Sequence, residues 1–142
     1  MTSERFSAEL AVLSKKLSPN LFRFLDMATT KPHLVMAART NRGNLYTLYV
    51  DLRGFPDSVP PKVFVTRMLR TRDGSDMDEC SAQMHTLSSE HGWTRICHYG
   101  GESWTPYVSL YKIYVKCRLW LEMYELHLQN GRPIDYYLNH QA

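Results

Sequence analysis

The chain carries few cysteines. Cys80, Cys97 and Cys117 are the only three in 142 residues, an odd number at irregular spacing that does not read as a disulfide framework. No apolar run approaches the roughly 20 residues of a helical membrane span. The opening residues include Glu4 and Arg5 where a secretory leader would be apolar. The expectation is a cytoplasmic protein with reduced thiols and no membrane partner. Strong charge of one sign is also missing. The formal net charge is +3 and the pI is near 8.8, with cations scattered from Lys15 and Lys16 to Arg67, Arg70 and Arg72. That is too weak and too dispersed for a nucleic-acid footprint, and it suits a solvated surface or a docking face for an acidic protein. No repeat, low-complexity tract or linker divides the chain, so one domain over 1–142 is expected.

What is present begins with a helix over Phe6 to Leu17. Phe6, Leu10, Leu13 and Leu17 form one apolar stripe, and Glu9, Lys15 and Lys16 lie on the other face. Ser3 or Ser7 can cap its start, and Ser18-Pro19-Asn20 stops it. Strand candidates follow over Leu21 to Met27, Leu34 to Arg39 and Asn44 to Arg53, the last two joined by a turn at Asn41-Arg42-Gly43-Asn44. Three prolines within Phe55 to Pro61 exclude a central strand there. Lys62 to Met68 reads as a fourth strand. Residues 69–93 are polar, charged and without a sustained period, the mark of a functional or mobile connection.

A long helix is predicted from Ser109 to Leu128. Leu110, Ile113, Cys117, Trp120, Leu121, Tyr124 and Leu128 fall on one stripe, with Ser109 as N-cap and Gly131 and Pro133 as stop. Ile134 to Tyr137 is a short apolar tail able to fold back. The class is α+β: an N-terminal helix, a four-stranded antiparallel meander, a cysteine-bearing loop and a long central helix.

The chemistry concentrates at Thr94-Arg95-Ile96-Cys97-His98-Tyr99, followed by the glycine pair Gly100-Gly101 and by Trp104-Thr105-Pro106. This reads as a thiol at the mouth of a loop, held in front of the long helix. Cys117 lies on the helix stripe and reads as core, and Cys80 sits in a polar loop with no assigned role. The bland alternative for Cys97 is a buried cysteine acting as a small hydrophobe.

Three local patterns in this order resemble the ubiquitin-conjugating enzyme (UBC-like) family. Phe55-Pro56-Asp57-Ser58-Val59-Pro60-Pro61-Lys62-Val63 looks like the family's proline segment between the third and fourth strands. Ile96-Cys97 looks like its active-site segment. Trp104-Thr105-Pro106, leading to Ser109-Leu110, looks like its entry to the central helix. Cys97 and Trp104 are seven residues apart, close to the family spacing. The family's His-Pro-Asn tripeptide is missing; Met84-His85-Thr86 is the nearest echo, with Thr86 in place of Pro and Leu87 in place of Asn. The shorter C-terminal part and the lost Asn are most similar to the divergent bacterial conjugating enzymes, several of which serve in antiviral defence.

The resemblance implies a transferase that needs no cofactor. Cys97 would accept a ubiquitin-like protein from an activating enzyme as a thioester, then pass it to an amine on a target protein. The activating enzyme would dock on the N-terminal helix through Lys15 and Lys16. A thiol nucleophile profits from a neighbouring base, and aminolysis from an oxyanion donor. His98, beside Cys97, is a candidate to lower its pKa or accept a proton. His85 is a candidate replacement for the missing oxyanion support, and His91 a weaker one. Two alternatives remain open: a non-catalytic binding module of the same fold, and a zinc-stabilised domain using Cys80, His85, His91 and Cys97, whose x4, x5 and x5 spacings match no usual finger.

Overall fold

Helix α1 spans Ser3–Lys16 in the computed structural model, which describes residues 1–100 and 102–139. Gly101 of the glycine pair and the last three positions of the 1–142 domain lie outside the described residues. The helix starts earlier than its apolar stripe because Thr2 caps it, the hydroxyl accepting the Arg5 N–H at 3.1 Å. Neither Ser3 nor Ser7 is the cap. The buried face is also rotated from the expected one. Leu13 is fully buried and Leu10 is 38% exposed, while Glu9 is only 4% exposed. Glu9 is buried because it has a partner: its carboxylate accepts the Leu110 N–H at 3.0 Å, at the start of the long helix. A carboxylate there meets an unsatisfied amide and the positive end of the helix dipole. Arg5 completes the corner, donating to the carbonyls of Pro106 and Val108.

The sheet has six strands, all antiparallel, where four were expected. They are β1 (Phe22–Leu25), β2 (His33–Arg39), β3 (Leu45–Asp51), β4 (Val63–Val65), β5 (Thr86–Glu90) and β6 (Trp93–Ile96), in the spatial order β1-β2-β3-β4-β6-β5. The predicted meander is the first four. The expected first and fourth strands are shortened, with Pro19–Leu21 forming a 3-10 turn before β1. Along β2 and β3 alternate residues are buried: Leu34, Met36 and Ala38, then Tyr46, Leu48 and Val50. One face of the sheet therefore supplies the core.

The additional strands lie in the segment without a period. β5 and β6 form a hairpin whose two turn residues, His91 and Gly92, both have positive φ, 60° and 72°. That geometry matches the twist of the paired strands. β6 then pairs with β4, Val63 against Ile96, which carries the chain directly to Cys97.

Helix α2 spans Leu110–Asn130. Ser109 caps it by accepting the Lys112 N–H at 3.1 Å, and Gly131 ends it in the left-handed conformation, φ 79°. Leu110, Ile113, Cys117, Trp120, Leu121 and Tyr124 are buried as the periodicity predicts, but Leu128 is 40% exposed. Each large side chain fully buried here contributes about 1.5–3 kcal/mol. The short tail is a third helix, α3 (Ile134–Asn139), anchored by the fully buried Ile134. Among the described residues no helix is long and apolar enough to cross a membrane.

Candidate active site

Cys97 is the first residue beyond β6, and its backbone continues the ladder. Its N–H donates to the His85 carbonyl at 2.9 Å. The sequence places these residues in different elements, and one backbone bond joins them. Trp120 of α2 reinforces the junction, its Nε1–H reaching the carbonyls of Met84 (3.1 Å) and His85 (3.0 Å). A cavity of about 430 Å³ opens at this point. The chain around Cys97 lines it with His85, His98 and Gly100; α2 lines it with Lys116, Leu119, Trp120 and Met123, and α3 with Leu138.

The segment after Cys97 is fixed from two sides. Trp104 is buried and donates its Nε1–H to the Asp57 carbonyl at 2.8 Å, tying the Trp-Thr-Pro turn to the proline segment. Its ring stands against Phe55 and Tyr99, with centroids 6.4 and 5.9 Å away. Lys116 lies over the Tyr99 ring at 4.0 Å. Tyr107 is 91% exposed and lines no part of this cavity.

The electrostatics around the thiol are mixed. Burial pushes the Cys97 thiol above the usual cysteine range, nearby Cys80 adds to the rise, and Arg95 opposes it. At neutral pH the resting group is therefore a thiol, which needs a proton acceptor when it attacks. Cys117 is fully buried on α2, with its thiol pushed much further up by desolvation, and is a core residue as expected.

His98 lines the cavity but has a different part from the one its position suggests. Its Nε2 lies 2.7 Å from the Pro61 carbonyl and must donate there. Burial above all, with Arg95 and Lys116, lowers its pKa to about 4 against the opposing Pro61 bond. The ring is neutral at physiological pH and supplies no positive charge to the thiol. Its Nδ1 is buried without a hydrogen-bond partner among the described residues.

His85 is placed very differently. Its ring Nε2 is 2.7 Å from Asp135 Oδ1, across 50 positions of sequence. Its φ is +50°, in the left-handed region where few non-glycine residues lie. His91 is remote in role: its ring packs against Phe64 and Trp93, at the β5–β6 turn. The zinc set does not assemble, since no group of three or more His, Cys, Asp or Glu side chains is gathered for a metal among the described residues. Cys80 is exposed, as expected.

Asp135, Trp120 and Lys116 are the residues that sequence reasoning missed as parts of the site. Trp120 and Lys116 were visible only as stripe and off-stripe positions of a helix. Asp135 sat in a tail read for its apolar residues; a lone acid flanked by Ile134 and Tyr136 was the one available sign. Comparison with protein-family models, curated proteins and solved structures finds no match for this chain.

Proposed function

We propose that this protein is a ubiquitin-like-protein conjugating transferase of UBC-like fold, which carries its modifier as a thioester on Cys97 and transfers it to an amine. The observation that carries the reading is the placement of Cys97. It lies at the end of a strand, half-buried, at a cavity whose other walls bring a histidine and a helix to it. A structural cysteine such as Cys117 sits instead inside the core, fully buried. The Trp104–Asp57 bond adds support, because it joins two of the three motifs that carry the family resemblance around the third.

The same reading makes the protein a cytoplasmic member of a bacterial defence system, with an activating enzyme docking on α1. Lys15 and Lys16 are both exposed at the end of that helix. The Lys16 ammonium lies over the Tyr111 ring at 5.7 Å, and an acidic partner can approach this surface without displacing core residues.

The test is adduct formation. Incubated with an activating enzyme, a ubiquitin-like protein ending in glycine and ATP, the wild type gains the mass of the modifier, and reductant removes it. The reading fails if the Cys97→Ala variant forms the same adduct. It fails equally if the wild type forms none with an activating enzyme proven competent on another carrier. The second outcome favours a non-catalytic binding module of the same fold, to which one observation already points: burial holds the Cys97 thiol protonated at rest.

A further inference from the structure

We infer that His85 and Asp135 form the proton-accepting pair of the Cys97 site, with His85 Nδ1 taking the proton and Asp135 acting as a positioning residue. The inference rests on the thioester reading above and assigns the base that reading lacks. A carboxylate only accepts hydrogen bonds, so the 2.7 Å contact places the proton of a neutral His85 on Nε2. The lone pair is then on Nδ1, and the carboxylate stabilises the imidazolium that forms when Nδ1 is protonated.

The backbone is built to hold this arrangement. At φ +50° His85 lies in the left-handed region, and its surroundings hold it there. The restraints are on either side: the His85 carbonyl receives both the Cys97 N–H and the Trp120 Nε1–H. Asp135 is tethered separately, its backbone N–H donating to the Gln83 carbonyl at 2.8 Å. The docking of α3 thus brings a carboxylate to the histidine that shares a ladder bond and a cavity with the thiol. His98 shares this tautomer, its Nε2–H donating to the Pro61 carbonyl, but its partner is a neutral carbonyl and burial lowers its pKa to about 4, so its Nδ1 is the weaker proton acceptor. The other charged and titratable groups at the cavity are Cys97 and Lys116, while Cys80 and Arg95 act on the thiol from beyond its lining.

The steps balance. In loading, Cys97 Sγ attacks the carbonyl carbon of the donor thioester as its S–H proton passes to His85. The new C–S bond forms, the donor C–S bond breaks, and His85 returns the proton to the departing thiolate. In discharge, the attacking amine forms the C–N bond and gives a proton to His85. The C–S bond to Cys97 breaks, and the sulfur leaves as thiolate and takes that proton back.

The experiment uses the full chain and a short peptide ending in glycine as its aryl thioester, with acylation of Cys97 followed by mass spectrometry and Cys97→Ala as blank. Asp135→Asn should slow acylation at pH 7 by roughly tenfold or more. Asp135→Glu, which keeps the carboxylate, should restore most of the rate. His85→Asn, chosen because asparagine tolerates positive φ, should slow it at least as far as Asp135→Asn. Iodoacetamide alkylation of the Cys97 thiol should show the same order of rates. Rates within twofold of wild type in Asp135→Asn and His85→Asn would overturn the pair and leave the thioester reading standing. No acylation of wild type above the blank would sink the thioester reading, and the alkylation rates would then decide the pair alone: a matched fall supports it, equal rates end it.

Discussion

The meander β1–β4 and the segment from Leu69 to Cys97, which supplies β5 and β6, meet in one sheet but are held in place by different means. The meander is held by apolar alternation. Leu34, Met36, Ala38, Leu48 and Val50 all point to one side, and each is at most 1% exposed. The second segment buries Leu69, Met77 and Ile96 in the core and is fixed between them by single polar contacts. Thr94, fully buried, accepts the Leu69 N–H at 2.8 Å. Thr86 donates to the Glu79 carbonyl at 2.7 Å, and Tyr124 to the Arg70 carbonyl at 2.7 Å. His127 accepts the Arg72 N–H at 3.0 Å, and Trp120 reaches Met84 and His85. Apolar alternation makes a regular surface and tolerates exchange of one aliphatic residue for another. Polar contacts hold an irregular chain in one place only.

Breaking the meander should cost most. Leu48→Ala removes a fully packed side chain from β3 and should destabilise the fold by about 2–5 kcal/mol in urea unfolding, with α2 and the sheet melting together. A loss confined to the β5–β6 region would contradict the assignment of the core to the meander side.

The pH dependence sharpens the contrast next, because the Cys97 side buries a neutral histidine. The His98 pKa in the folded chain, about 4, lies below the ordinary value of 6.5. The unfolded chain therefore binds the proton first as pH falls. Stability is fully present above pH 6.5, declines as pH drops below it, and stops declining below about 4, for a total of roughly 3 kcal/mol. Asp51, Asp73 and Glu90, whose pKa values are lowered, contribute their losses only as pH falls through the carboxylate range. Urea midpoints between pH 7 and 5 should fall in the wild type and stay nearly flat in His98→Asn; parallel slopes would show that His98 is not the group responsible.

The smallest expected change is at a single polar contact. Thr94→Val keeps the shape but leaves the Leu69 N–H buried without its acceptor, at a cost of about 1–3 kcal/mol. Hydrogen exchange should quicken at Leu69 and its neighbours and leave β2 and β3 protected. Uniform quickening across the sheet would mean that the two regions are one cooperative unit.

The same contrast explains what could be read in advance. β2, β3 and α2 were legible because burial on one face imposes a period of two or of 3.6 on the chain. β5, with Thr86, Ser88 and Ser89, has no such period; its strand exists because β6 and a turn with two positive-φ residues give its backbone partners. Glu9 was placed on the wrong face of α1 for a related reason. Periodicity treats a carboxylate as a surface residue, and only the amide of Leu110, 101 positions away, makes its burial favourable. Of the candidate site, Cys97 and its flanking motifs were visible as residue types in order. The different partners of the two histidines were not. His98 is adjacent in sequence but turned to the Pro61 carbonyl, and His85 is 12 positions earlier but joined to Cys97 through the ladder.

By itself, then, the sequence determined the α+β class, the meander, both ends of α2 and the thiol worth testing, since capping, alternation and helical period act over a few neighbouring residues. The tertiary structure decided the six-stranded sheet, the burial of Glu9, the neutral state of His98 and the meeting of His85 with Asp135. Each of these depends on a hydrogen-bond partner or a desolvating neighbour that is far away along the chain, and such a partner leaves no periodic trace in either segment.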